Sequence, residues 1–222
     1  MSVEDSYTHC EALVREHLRD HWIAALFAPE DKRKHLHALA AFAFETGRIK
    51  GLVKEPLAGE VRLTWWIEAL EGVREGEAQS HPVAAALLAT VAAVPLPKSR
   101  VEDWLLARRD DLYRDAPGDL ASAQALEAPL FALSAIALGG PAEAAALKAA
   151  AAQFHLAVAR PADALASLVE AEAALTGAHG DVLPAFAPLA ALRLDARRAL
   201  RGKGPAPGWR RQIAIWWWGR GR

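Results

Sequence analysis

Cysteine occurs once in this sequence, at Cys10, isoleucine and threonine are sparse, and neither sign of charge is in excess. A lone cysteine excludes an intramolecular disulfide, and nothing in it argues for an oxidising compartment. With few β-branched residues and no stretch alternating apolar and polar side chains, strands are not expected. A formal net charge of −1 offers no global attraction to nucleic acid or another polyanion. The N-terminal MSVEDSYTHCEALVREHL has no apolar core of a signal peptide, and no run approaches the roughly 18 apolar residues that span a bilayer. The expected setting is the cytoplasm. G-x-S-x-G, Walker A and Rossmann fingerprints are all missing, and nothing repeats at a fixed period.

What is abundant is alanine and leucine. Hydrophobic residues make up 53% of the 222, enough to bury a sizeable core. Proline stands where helices should begin, at Pro29, Pro82, Pro97, Pro141 and Pro161, since its missing N–H is no loss in a first turn. Helices are predicted near 3–27, 30–51, 57–75, 82–94, 97–114, 120–138, 141–160, 162–177 and 182–201, with a short one at 209–218. Gly139-Gly140 should end a helix, and GKGPAPG at 202–208 reads as a linker. The division expected is a helical domain over 1–201 and a Trp/Arg-rich segment over 202–222.

The stretch from His21 to Gly72, with its "LFAP", Arg33, Ala41-Phe42, Gly59, Arg62, Trp65-Trp66 and Leu70, is followed by His81-Pro82-Val83 and Leu87. Together these elements resemble the squalene and phytoene synthase family over roughly residues 20–138. The resemblance implies an all-α, isoprenoid synthase-type helical bundle, shortened in its last third, around a central apolar cavity. It also implies enzymes that join prenyl diphosphates head to head with Mg2+ held by aspartates on two facing helices. In "AFAFETGRIKGLVKEP" the family's first carboxylate pair, at i and i+4, falls on Gly47 and Gly51, and a further aspartate position falls on Arg48. Mg2+ requires oxygen ligands and offsets charge on the departing diphosphate, so this loss removes several kcal/mol of help. Glu45 does not substitute, because two residues place it about 200° around the helix from Gly47. The second aspartate-rich motif is equally faint, with only Gln153 and Arg160 echoing it before Pro161.

Other candidates carry less. Asp111 and Asp115 form a D-x-x-x-D pair, with Asp110 and Asp119 nearby, and are the weak metal candidates that remain. His17 and His21, four apart on one predicted helix, share a face suited to zinc. Arg33, Arg48 and Arg62 are candidate anion- or diphosphate-binding residues, with Lys50 and Lys54 beside them, against the plainer reading of an exposed basic face. Adjacent Trp65 and Trp66 point about 100° apart, so at most one faces a central cavity, and core packing accounts for them.

The tail is locally cationic, with nine Lys or Arg from Arg193 to Arg222 against one acid, Asp195. Trp209, Trp216, Trp217 and Trp218 among these arginines suit a bilayer interface, giving possible peripheral contact at the inner membrane; alternatively the segment packs back on the domain. The expectation for function is a family-like protein without Mg2+-dependent prenyl transfer, acting as a non-catalytic binding or assembly factor and needing no cofactor. In this it is similar to phytoene-synthase-like respiratory complex I assembly factors. Two alternatives stay open: an active prenyltransferase using Mg2+ captured at new positions, and an isoprenoid or lipid carrier. No nucleic-acid partner is expected.

Overall fold

The computed structural model describes residues 2–114, 118–177 and 180–220. Every regular element among them is helical. The first half comprises α1 (Val3–His17), α2 (Arg19–Ala25), α3 (Glu30–Gly47), α4 (Ile49–Leu52), α5 (Pro56–Glu71), α6 (Glu75–Ser80) and α7 (Pro82–Ala93). There follow α8 (Lys98–Asp111), α9 (Leu120–Leu138), α10 (Glu143–Ala157) and α11 (Pro161–Ala174). A 3-10 segment (Gly180–Phe186), α12 (Leu189–Ala199) and α13 (Gly208–Arg220) complete the chain.

Local chemistry explains most of the boundaries. Ser2 and Asp5 form a reciprocal capping box at the start of α1, with bonds of 3.0 and 3.1 Å. Pro56, Pro82 and Pro161 occupy first turns. Asp119 accepts from the Ser122 N–H at 2.7 Å to cap α9, and Gly139 ends that helix at φ 111°.

Three predicted helices are broken. The one expected over 3–27 stops at Leu18, whose φ −125°, ψ 53° lies outside the helical region. That break lets α1 lie on α3 and α7 while α2 turns toward α13. The helix expected over 30–51 divides at Arg48 into α3 and α4. The helix expected over 182–201 begins instead as a 3-10 segment containing Pro184, and α12 starts only after Pro188. Both prolines remove the backbone donors an α-helix would need there.

α9 organises the interior. Leu130, Leu133 and Ala137 face a first core containing Phe42, Trp66, Trp104 and many leucines. Ala128, Phe131, Ala132, Ala135 and Leu138 face a second core, with the alanines of α10 and Phe186. A helix clothed on two sides is apolar nearly all round. Accordingly α9 is, among the described residues, the one helix long and apolar enough to cross a membrane, although no such run was expected; half of its 18-residue apolar window is buried inside the fold.

Between His21, Ala24, Ala25, Leu36, Ala40, Leu130, Ser134, Pro184 and Ala185 there is room for about 10 Å³. At this point alanines let neighbouring helices approach until little space remains.

Candidate site at the junction of α3 and α4

Where α3 gives way to α4, a groove of about 370 Å³ opens to the surface. Glu45, Arg48, Ile49 and Leu52 line one side, Val61, Arg62, Trp65 and Trp66 the other, and His81 the end. Trp66 is buried and meets Phe42 edge-on at 5.3 Å. Trp65 stays partly open and donates its Nε1–H to Glu77 at 2.8 Å. His81 lies against both indoles, 5.3 and 5.1 Å from their centres, and its Nδ1 accepts the Ala84 N–H at 3.3 Å. That bond leaves the proton of the neutral imidazole on Nε2. Burial pushes the His81 pKa below its ordinary value, with Glu45 opposing the shift.

The predicted basic residues do not act together. Arg48 and Arg62 both line the groove. Arg48 is held by Glu45 at 2.8 Å, whereas Arg62 is exposed and has no ion pair or hydrogen bond among the described residues. Arg33 lies at the other end of α3, where its Nε–H bonds the Ala28 carbonyl at 3.1 Å. Fifteen helical residues put it about 22 Å along the axis from Arg48. Lys50 is spent on the end of α8, donating to the carbonyls of Asp111 (2.7 Å) and Arg114 (2.9 Å) and pairing with the Asp111 carboxylate at 3.2 Å. A cation at a helix C-terminus satisfies carbonyls that have no partner within the helix.

The weak metal candidates fare differently from one another. Asp111 is engaged by Lys50, and Asp115 lies outside the described residues. The single helix expected to carry His17 and His21 breaks between them at Leu18, although both residues line one groove of about 510 Å³. His17 stacks on Phe44 at 4.5 Å and His21 faces Phe131 at 6.0 Å. No cluster of three or more His, Cys, Asp or Glu with metal-binding geometry occurs among the described residues.

The residue that reading the sequence missed is Arg108. Its guanidinium packs flat against Gly47: a Cβ added there would stand 3.2 to 3.4 Å from Nη1, Cζ and Nη2. Arg108 donates weakly to the Leu126 carbonyl at 3.4 Å, which also accepts the Trp104 Nε1–H at 2.8 Å. Its nearest carboxylate is Glu127, 3.9 Å away. Burial lowers the Arg108 pKa, with Glu127 and Asp111 opposing the shift, although a guanidinium stays charged at any physiological pH. A signal existed in the sequence: Arg108 follows Trp104 by four residues and so shares its buried face. By contrast Gly51 has open space where a side chain would project.

A second groove, of about 490 Å³, runs over Trp104 and Pro129 between α8, α9 and α10. Arg100 and Glu143 at its rim are paired with each other at 2.6 Å.

Comparison with known proteins decides the family. Residues 14–128, just over half of the chain, match the squalene/phytoene synthase family. The chain belongs to that family. Over 108 residues it is 35% identical to the bifunctional protein CrtB/UppS of Streptomyces coelicolor, a match covering 48% of this chain and 19% of that protein. Over 109 residues it is 28% identical to NADH dehydrogenase (ubiquinone) complex I, assembly factor 6 of Rattus norvegicus, covering 49% of this chain and 32% of that protein. The match thus spans about a fifth to a third of these curated relatives. Among solved structures, a dehydrosqualene synthase in complex with ligand superposes with a TM-score of 0.75 at 14% identity, over 97% of this chain and 96% of that one. The all-α isoprenoid synthase-type fold read from the family motifs is therefore the fold of this chain.

The Mg2+ that the family resemblance implies does not suit the donors present at the α3–α4 junction. Oxygen ligands are required. The turn offers two glycines, Arg48 and a single carboxylate, Glu45, which Arg48 already pairs at 2.8 Å, and the guanidinium of Arg108 lies against the face of Gly47. The C-terminal carbonyls of α3 carry partial negative charge, which favours these two cations.

Proposed function

We propose that this protein is a non-catalytic member of the squalene/phytoene synthase family, a binding factor that has lost Mg2+-dependent prenyl transfer. The observation carrying this reading is the guanidinium of Arg108 packed on Gly47, where family motifs would set a metal-binding carboxylate. A fixed cation there repels Mg2+ and leaves the ionising diphosphate without its usual charge neutralisation. One relative carries a synthase-type name and another an assembly-factor name, so kinship alone leaves both roles open.

The groove favours a particular class of ligand. Arg62 supplies an unpaired guanidinium at the mouth, and Val61, Leu52, Ile49 and the Trp65 ring supply an apolar wall. An anionic head with an apolar tail, such as a prenyl diphosphate or a lipid phosphate, matches both. Held there without metal, such a ligand is carried or presented rather than converted.

Pyrophosphate release from farnesyl and geranylgeranyl diphosphates, with and without Mg2+, tests the loss of catalysis. The expected result is no release in either condition. Binding of the same diphosphates in EDTA, followed by quenching of tryptophan fluorescence, should weaken roughly tenfold in Arg62→Ala, the usual scale for one charge-assisted bond. Mg2+-dependent release, abolished by Asp111→Ala with Asp115→Ala, would establish the prenyltransferase alternative with its metal at new positions.

A further inference from the structure

α13 packs on the domain by one face and leaves a second, aromatic face uncovered. Inward, Ile215 is fully buried against Ile23, Ala24, Ala187 and Ala191, with Trp218 beside them. Gly219 allows the approach: a Cβ there would come within 2.7 Å of the Phe27 ring. Arg211 also points inward, pairing with both Asp20 and Asp195. Outward stand Trp209, Ile213, Trp216 and Trp217, exposed to 58, 48, 40 and 66%. At 3.6 residues per turn these four positions and Arg220 fall within an arc of about 100°.

We infer that this outer face of α13 is an interfacial anchor for a bilayer carrying anionic headgroups. The indoles and Ile213 supply the apolar stripe of a helix that lies in the plane of the interface. Arginines sit at both ends, with Arg210 5.0 Å from the Trp209 ring and Arg220 4.2 Å from the Trp216 ring. Indole at headgroup depth beside a guanidinium at the phosphates is the arrangement an anionic membrane surface favours.

Charge selects the lipid surface over a second copy of the chain. From Arg193 onward the one acid is Asp195, and Arg211 neutralises it on the inner face. Two such faces brought together would oppose arginine to arginine with no carboxylate between them. A negative lipid surface meets the same arginines with complementary charge at every point. The anchor is independent of the groove at α3 and α4, which is lined by α3, α4, α5 and His81.

Vesicle flotation tests the anchor, using phosphatidylcholine alone or with phosphatidylglycerol, at low and high salt. The full chain should float with the anionic vesicles at low salt and be released by high salt. Trp209→Ser with Trp217→Ser should lower partitioning roughly tenfold or more, since two half-exposed indoles lose their apolar transfer. Arg210→Gln with Arg220→Gln should lower it about thirtyfold on anionic vesicles alone, from roughly fivefold contributions of each basic residue near the surface. Leu57→Ser, at an equally exposed position on α5 (67%), should change nothing. Circular dichroism confirms that each variant is folded. No flotation of the folded wild-type chain, unchanged flotation of the tryptophan variant, or equal binding to neutral and anionic vesicles would each overturn the inference. So would self-association in sedimentation that the tryptophan variant abolishes without any vesicle binding, because the occupant would then be a second copy.

Discussion

The two cores on either side of α9 are built differently. One is made of large side chains, with Phe42 wedged at 5.3 Å between the edges of Trp66 and Trp104. The other is dominated by alanine, with Ala145, Ala146, Ala149, Ala150 and Ala152 of α10 all buried against α9 and α11. Large, rigid rings cannot tile a surface without crevices, and the groove beside Trp65 and Trp66 is one such crevice. Short methyl groups draw helices together and close the space between them. The contrast is one of local packing: the groove at the α3–α4 junction is walled by Trp65 and Trp66, while the groove over α9 and α10 is walled largely by alanines together with Trp104 and Pro129.

The contrast is broken most severely by removing its largest ring. Trp104→Ala should cost about 3–5 kcal/mol, because it deletes a buried indole together with its 2.8 Å bond to the Leu126 carbonyl. Urea denaturation would show this as a lower midpoint with an unchanged slope.

Acid comes next, and it sharpens the comparison because buried His35 bonds Tyr7 of the aromatic core while half-buried His21 faces Phe131 of the alanine side. Burial lowers the pKa of His21 to about 4 and pushes those of His35, His37 and His81 down as well. A histidine depressed in the folded state binds its proton more readily once unfolded, so its stabilising effect is complete above about pH 6.5 and is lost as pH falls. For His21 that loss, spread from about pH 6.5 down to 4, is on the order of 3 kcal/mol. Urea midpoints measured between pH 7 and 4 should fall steadily, and His21→Gln should flatten the slope.

The smallest effect belongs to the alanine side. Ala149→Leu adds three carbons where α10 meets its neighbours with no exposed surface at that position, and should cost about 1–3 kcal/mol through overpacking. A thermal midpoint unchanged in Ala149→Leu would show that the alanine core has slack, and would remove the contrast in packing between the two cores.

Much of this was legible along the chain. The helical class followed from the scarcity of β-branched residues and the absence of alternation, and the joints followed from proline and glycine. The family resemblance directed attention to Gly47 and Gly51. Other features could not be read locally. Leu18 interrupts a helix whose local composition is favourable, whereas Arg48 stands between Gly47 and Gly51, both poor helix formers. The prolines at 184 and 188 were legible signals passed over. Arg48 and Arg62 meet in one groove while Arg33 lies far away, a distinction that depends on how α3 and α5 pair.

By itself the sequence determined which backbone could be helical, where it had to stop, and that bare glycines stand at 47 and 51, since propensity, capping and side-chain chemistry are properties of single residues and near neighbours. Only the tertiary structure decided what packs against them. Gly47 and Arg108 are sixty-one positions apart, and nothing local to either predicts that a guanidinium on α8 lies against a bare backbone on α3. The same holds for α13: its tryptophans were visible as a run, but which of them face inward and which face outward was settled by where Ile215 and Arg211 found their partners.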